Sequence, residues 1–191
     1  IFGITVFLLW GGGRVLPSTK KRMSACEIKY KKYLTDCQSV LDNLKYQDLY
    51  HSRQAEYLVG ESGYPLYNGS TTEYMSPVED LLPKLIEELK SAEKYIYLQF
   101  FILAEGKMWD AIHSVLKEKA EKGVEVKVIF DDFGSIKRQN KGFVTKLRAE
   151  KIGVAVFNPI NPVMNIFMNN RNHQKIVVID GKTAFTGGFN I

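Results

Sequence analysis

The chain has 191 residues, 26 Lys+Arg against 21 Asp+Glu, and a formal net charge of +5. Apolar residues make up 45% and charged residues 25%, a globular composition that excludes a collagen-like, low-complexity or wholly disordered chain. Cys26 and Cys37 do not make a disulfide scaffold, and no Cys-x-x-Cys or Cys/His cluster suggests zinc. Both read as reduced thiols facing the cytosol.

Residues 1–10, Ile-Phe-Gly-Ile-Thr-Val-Phe-Leu-Leu-Trp, carry no charge. A bilayer span takes about 20 apolar residues, so this run is about half of one. Its flanks favour the tail of a transmembrane helix over a buried element of a soluble domain. Trp10 suits an interface, Gly11-Gly12-Gly13 breaks a helix, and Arg14, Lys20, Lys21 and Arg22 form a basic cluster. Such clusters stay on the cytoplasmic side, which places the remainder in the cytoplasm at the cell membrane. No basic segment precedes the run and no small-residue cleavage site follows it, so a signal peptide is a poor match. The chain opens inside an apolar run and stops just after a glycine-rich turn, and is read as part of a longer protein.

Residues 1–22 are thus the end of a membrane helix with its basic flank, and residues 23–70 a helical linker. Ile28, Tyr30, Tyr33, Leu34, Cys37, Val40, Leu41 and Leu44 recur at helical spacing, which predicts an amphipathic connector helix over 23–58. Residues 60–70 are rich in Gly, Ser, Pro and Asn. Residues 71–191 alternate strands with helices and predict an α/β sandwich around a parallel or mixed sheet. Ser76-Pro77-Val78-Glu79 predicts a capped helix start, followed by a stripe of Leu81, Leu82, Leu85, Ile86 and Leu89. Strands are expected at 94–103, 124–130, 153–157, 174–179 and 183–186. Helices are expected at 106–122 and 139–150, with a tight turn at Asp180-Gly181.

Chemistry concentrates in Asn172-His173-Gln174-Lys175-Ile176-Val177-Val178-Ile179-Asp180-Gly181 and Thr186-Gly187-Gly188-Phe189-Asn190. On a strand, His173 and Lys175 share a face and Gln174 takes the other. An ammonium beside an imidazole suits a phosphate: the cation holds the non-bridging oxygens, and the ring attacks phosphorus or moves a proton. The cation also disfavours a second positive charge on the ring, which keeps it nucleophilic. Gly187 and Gly188 offer backbone N–H groups as an anion nest, and Asn190 an amide donor. A lone His-x-Lys is more often a structural histidine with an edge lysine. The complete string, His-x-Lys-x4-Asp with a following Gly-Gly-x-Asn, is not.

That string resembles the signature of the phospholipase D superfamily. Phe157-Asn158-Pro159, Asn170-Arg171, Phe185, Tyr97-Leu98-Gln99-Phe100-Phe101-Ile102, Val126-Lys127-Val128-Ile129-Phe130-Asp131 and Gly134-Ser135 extend the resemblance to bacterial cardiolipin synthases of that superfamily. The resemblance implies the first half of a phospholipase D-like α/β sandwich. It implies phosphatidyl transfer between two phosphatidylglycerol molecules, giving cardiolipin and glycerol through a phosphohistidine, without metal or other cofactor. It makes His173 the nucleophile of a first motif and Lys175 the phosphate ligand, aided by Gly188 and Asn190. Asp180 completes the catalytic motif in an orienting and electrostatic role. Such enzymes use two histidine motifs, and this chain holds one. The second is expected from sequence outside these residues or from another chain.

Gln99 departs from the family, which often has Glu there. Asp131, at a strand end, suits a site or a turn equally, and His51 and His113 read as surface residues. Lys137, Arg138, Lys141 and Arg171 form a basic rim, either solvated or facing an anionic membrane. Two other functions stay open: a phosphodiesterase or nuclease of the same superfamily working as a dimer, and an inactive fragment that binds anionic lipid. The apolar residues 1–10 favour lipid over nucleic acid as the partner.

Overall fold

The computed structural model describes residues 2–10, 17–34, 36–160 and 170–191. Gly11, Gly12, Gly13 and Arg14, read above as a helix break and the start of a basic cluster, lie outside them. The chain divides into two compact units, Val15–Tyr74 and a second made of Met75–Ile191 with Ile1–Arg14. Helix α1 (Phe2–Trp10) has nine residues. Among the described residues no helix is long and apolar enough to cross a membrane.

In the first unit the expected single connector helix is three: α2 (Pro17–Lys31), α3 (Gln38–Gln47) and α4 (Leu49–Ser62). Helix α2 buries no residue. Helices α3 and α4 pack around Cys37, Leu41 and Ala55, with Leu44, Val59 and Leu66 against them. Asp48 separates these two helices. Its backbone is extended, and its carboxylate accepts from the N–H groups of Tyr50 and His51, both at 3.0 Å. That is an N-cap, which apolar periodicity alone does not reveal.

The second unit is built on one mixed sheet. A 3-10 turn (Val78–Asp80) leads into α5 (Leu81–Ser91). Ser76 is therefore not the predicted cap: the turn intervenes, and α5 starts without a side-chain capping bond. Strand β1 (Tyr95–Phe100), α6 (Lys107–Glu121), β2 (Glu125–Asp131) and the short α7 (Asp132–Ser135) follow. Then come α8 (Phe143–Ala149), β3 (Gly153–Phe157), β4 (Ile176–Ile179) and β5 (Thr183–Thr186). The strand order is β3-β2-β1-β4-β5. Strands β1, β2 and β3 run parallel, β4 runs against β1, and β5 runs against β4.

One face of the sheet carries the core. Ile96, Leu98 and Phe100 of β1, and Val126, Val128 and Phe130 of β2, are buried in one cluster with Leu85 and Leu89 of α5, Ile112 and Leu116 of α6, and Leu147 of α8. Each fully buried large apolar side chain contributes about 1.5–3 kcal/mol. On the opposite face Tyr97, Gln99, Lys127, Ile129, Ala155, Ile176 and Val178 are exposed or half-buried. The expected α/β architecture is present, with a mixed sheet and helices packed on it.

The β4–β5 turn has positive φ at both Asp180 (53°) and Gly181 (68°), and Lys182 N–H donates to the Ile179 carbonyl at 2.9 Å. This is the Asp-Gly hairpin chemistry expected of a primed turn. A Cβ on Gly181 would stand 2.7 Å from the Tyr95 hydroxyl, so glycine is required there twice over.

Candidate active site

The parallel strands β1, β2 and β3, together with β5, end at one edge of the sheet, and β4 begins there. Ligand sites in open α/β sheets form beyond such carboxyl ends. Here the edge collects Phe101 and Ile102 after β1, Asp131 ending β2, and Asn158 after β3. It also collects His173 and Lys175 before β4, and Gly187 to Asn190 after β5.

His173 and Lys175 precede β4, which starts two residues later than predicted, yet their side chains meet as the spacing implied. Lys175 Nζ lies 3.2 Å from His173 Nδ1 and donates to the His173 carbonyl at 2.8 Å. The His173 ring is exposed and sits 4.8 Å from the Phe101 ring, centroid to centroid. Lys175 is only 4% exposed, and its ammonium lies 5.5 Å over the same Phe101 ring. Among the described residues no carboxylate is within ion-pair distance of it. An ammonium can only donate, so Nδ1 is the acceptor and the proton of a neutral ring is on Nε2.

The loop holding Phe101 is braced from below. Ser135 Oγ accepts from Leu103 N–H at 3.0 Å, and Asn190 Oδ1 accepts from Ile102 N–H at 3.0 Å. The Ile191 carbonyl accepts from Ala104 N–H at 2.8 Å. Gly134 is packed so closely that a Cβ there would stand 2.2 Å from the Phe101 carbonyl oxygen. Gly187 and Gly188 are exposed at the same edge.

Asp180 is elsewhere. It follows β4, so four strand residues at ~3.3 Å each separate it from Lys175. Its carboxylate accepts from the N–H groups of Glu93, Lys94 and Tyr95, all at 2.8 Å. The Tyr95 N–H above all, with those of Glu93 and Lys94, holds the carboxyl below the ordinary carboxylate range. Grouping Asp180 with the catalytic residues therefore needs correction in space: it fastens the start of β1 at the opposite end of the sheet.

Asp131 caps a turn and also bonds to the segment that precedes His173. Its side chain is fully buried. Oδ1 accepts from Phe133 N–H at 2.9 Å, capping α7, and from Arg171 Nη1 at 3.3 Å; Oδ2 accepts from Asn172 N–H at 3.0 Å. Arg171 also donates to the Asn158 carbonyl at 2.9 Å and lies over the Phe133 ring. It is thus an internal tie, not part of a basic rim. Gln99 donates to Gln174 Oε1 at 2.6 Å, on the side of the sheet away from the core.

His113 is another correction. Its side chain is 12% exposed, stacked on Trp109, with Nε2 2.6 Å from Glu150 Oε2. His51 is exposed and bonded to Asp48. Among the described residues no group of three His, Cys, Asp or Glu side chains is placed to hold a metal ion. The parts that residue chemistry alone missed are Phe101, Asn158 and the Gly134-Ser135 brace. Their signal lay in the short strings that carried the family resemblance.

Residues 85–191 match the family described as "Cardiolipin synthase, PLD-like domain". An uncharacterised protein of Streptococcus mutans is 36% identical over 98% of this chain and 41% of its own length. A cardiolipin synthase of Staphylococcus aureus (strain Mu50) is 29% identical over all of this chain and 40% of its own. Cardiolipin synthase 1 of Staphylococcus aureus (strain COL) is 34% identical over 78% of this chain and 30% of its own. The chain thus spans about two-fifths or less of the length of these relatives. With residues 85–191 matched and the His-x-Lys pair assembled at the sheet edge, the chain belongs to the cardiolipin synthase family of phospholipase D-like proteins.

Proposed function

We propose that this chain carries the nucleophilic half of a phosphatidyltransferase active site that makes cardiolipin and glycerol from two phosphatidylglycerol molecules. Lys175 supports this reading above all. A buried ammonium is costly unless paired, and this one has an imidazole, a carbonyl and an aromatic face beside it. The non-bridging oxygens of a phosphodiester complete its shell and bring phosphorus to His173.

A ring nitrogen of His173 attacks phosphorus, the new N–P bond forms, and the P–O bond to the departing glycerol breaks. Attack through Nε2 requires its proton to move to Nδ1. Attack through Nδ1 requires that nitrogen to be vacant. Either way Lys175 has to release Nδ1, and the arriving phosphate draws the ammonium off it. Lys175, the Asn190 amide and the Gly188 N–H hold the phosphoryl oxygens as charge builds. A second histidine, from sequence outside these residues or from another chain, protonates the leaving glycerol. It then takes the proton from the hydroxyl of the second phosphatidylglycerol, which attacks phosphorus as the N–P bond breaks. Asp180 serves this chemistry by holding the sheet. The apolar residues 1–10 and the basic Lys20, Lys21 and Arg22 support a location at the cytoplasmic face of the cell membrane, each cation worth ~1 kcal/mol near anionic lipid.

The test uses the full-length protein in detergent micelles with labelled phosphatidylglycerol. One cardiolipin per glycerol released, lost in His173→Ala, is the expected result. Phosphatidic acid in place of cardiolipin would make water the acceptor. Cleavage of single-stranded DNA with no lipid product would replace the lipid reading with a nuclease.

A further inference from the structure

The segment that presents His173 has almost no regular structure of its own. Residues 171–175 are neither helix nor strand, yet a nucleophile must be held to within a fraction of an ångström of phosphorus. The hydrogen bonds that fix it come from the ends of two neighbouring strands. From β2, Asp131 receives Arg171 Nη1 and Asn172 N–H on separate oxygens. Beyond β3, the Asn158 carbonyl receives the same Arg171, and Asn158 Nδ2 donates to the Asn170 carbonyl at 2.9 Å. Asn158 adopts a positive φ of 43°, a conformation asparagine tolerates better than most residues. Asn172 Oδ1 then accepts from Gln174 N–H at 3.2 Å, closing a turn around His173.

We propose that Asp131 is a positioning residue for His173, acting through Arg171 and Asn172 and touching neither substrate nor the histidine. The proposal rests on the reading of His173 as the nucleophile. Three observations carry it. Asp131 is fully buried, so its charge is held for internal partners and not for solvent or lipid. Its two oxygens divide their work, one capping α7 and pairing with Arg171, the other gripping the amide next to His173. And α7, which Asp131 caps, also carries Gly134 and Ser135 against the Phe101–Leu103 loop. One carboxylate therefore sets both walls of the imidazole: the loop that bears it and the α7 turn that supports the ring beside it.

The test compares wild-type full-length protein, His173→Ala, Asp131→Asn, Arg171→Lys and the Asp131→Asn/Arg171→Lys double variant. Each is measured for thermal unfolding, for kcat and KM with phosphatidylglycerol, and for single-turnover phosphohistidine formation. In Asp131→Asn one carboxylate oxygen becomes an NH2, which cannot accept from Arg171 or Asn172. Both Arg171 bonds leave through Nη1, and Arg171→Lys keeps the charge on a shorter stem without the planar guanidinium, so its ammonium stops short of the position from which Nη1 reaches Asp131 and the Asn158 carbonyl. Expected are a kcat and phosphohistidine rate lowered about 10²-fold in Asp131→Asn with KM nearly unchanged. A smaller loss of the same kind is expected in Arg171→Lys, with the double variant no worse than Asp131→Asn. A lower melting temperature with unchanged kcat would overturn the proposal, as would a rise in KM alone or losses that multiply in the double variant. Should Asp131→Asn fail to fold, Arg171→Lys decides: an unchanged kcat overturns, a kcat-only loss supports. Full activity in His173→Ala would instead remove the nucleophile reading, and this proposal with it.

Discussion

The ammonium of Lys175 lies 3.2 Å from Nδ1 of His173 and 2.8 Å from the carbonyl oxygen of the same residue, so the lysine folds back onto the histidine two positions before it. The buried end of that lysine is satisfied by neutral acceptors and an aromatic face, with no carboxylate among the described residues to neutralise it. Lys175→Met keeps the unbranched stem, one atom shorter, and removes the charge. The expected outcome is a protein that unfolds at or above the wild-type temperature, because an uncompensated buried charge is gone. Transfer falls by about 10²–10³-fold, as when a charge-stabilising donor is removed from an active site. Thermal melts and initial rates of cardiolipin formation check both halves.

Asp180 predicts the opposite pattern. Removing its carboxylate in Asp180→Asn weakens three backbone hydrogen bonds at the start of β1. The melting temperature should fall while the turnover of the folded protein is largely kept. The sign of the pH dependence follows from the lowered carboxyl. The unfolded chain binds a proton at this group more readily than the folded one, so stability drops as pH falls. The difference between wild type and variant is full above the ordinary aspartate value of 3.8 and closes as pH falls through the lower folded value. Melts of both proteins from pH 7 down to pH 3 check it.

Gly134 is held by space. The added Cβ of Gly134→Ala would stand 2.2 Å from the Phe101 carbonyl oxygen, far inside van der Waals contact. The expected cost is about 1–3 kcal/mol. Phe101 must also shift away from the His173 ring, so kcat should fall in the fraction that folds. Urea unfolding and steady-state rates on the same preparation separate the two effects.

The His113–Glu150 pair ties α6 to the end of α8 away from the chemistry. Burial pushes the Glu150 carboxyl up, but hydrogen bonds from His113 and Lys117 outweigh it and leave it below the ordinary range. His113→Ala removes one of those bonds and the face stacked on Trp109. Stability should fall by about 1–3 kcal/mol, with turnover per folded molecule unchanged. Denaturant unfolding with an activity assay at matched folded fraction checks it.

Much of the second unit was legible because its strands alternate against a core. Val126, Val128 and Phe130 and the stripe of Leu81, Leu85 and Leu89 announce their buried faces directly. Strands β3 and β5 fall at their predicted positions. The His173–Lys175 meeting was legible from spacing alone. What escaped notice depends on partners far apart in sequence. Asp131 and Asn172 are 41 residues apart, and Asp180 reaches back 85 residues to Tyr95. Periodicity carries no record of such pairs. It also cannot see a cap, so Asp48 divided a helix that apolar spacing had joined. His113 reads as a surface residue because it stands alone in a helical stretch with no partner near it in sequence, and Glu150, just past α8, together with Trp109 encloses it.

The antiparallel course of β4 against β1 gives the interval between Lys175 and Asp180 the character of a ruler. One end of the interval is fixed to the start of β1 and the other delivers the lysine to the far edge, so four intervening residues measure the breadth of the sheet. Val177 and Ile179 point into the core between those ends, and a strand alternates faces at every step. Adding or removing one residue there would turn that pair outward and pull either the anchor or the ammonium off its mark. The interval in the signature is therefore a distance written in residues, and substitutions within it should be tolerated far more readily than any change in its length.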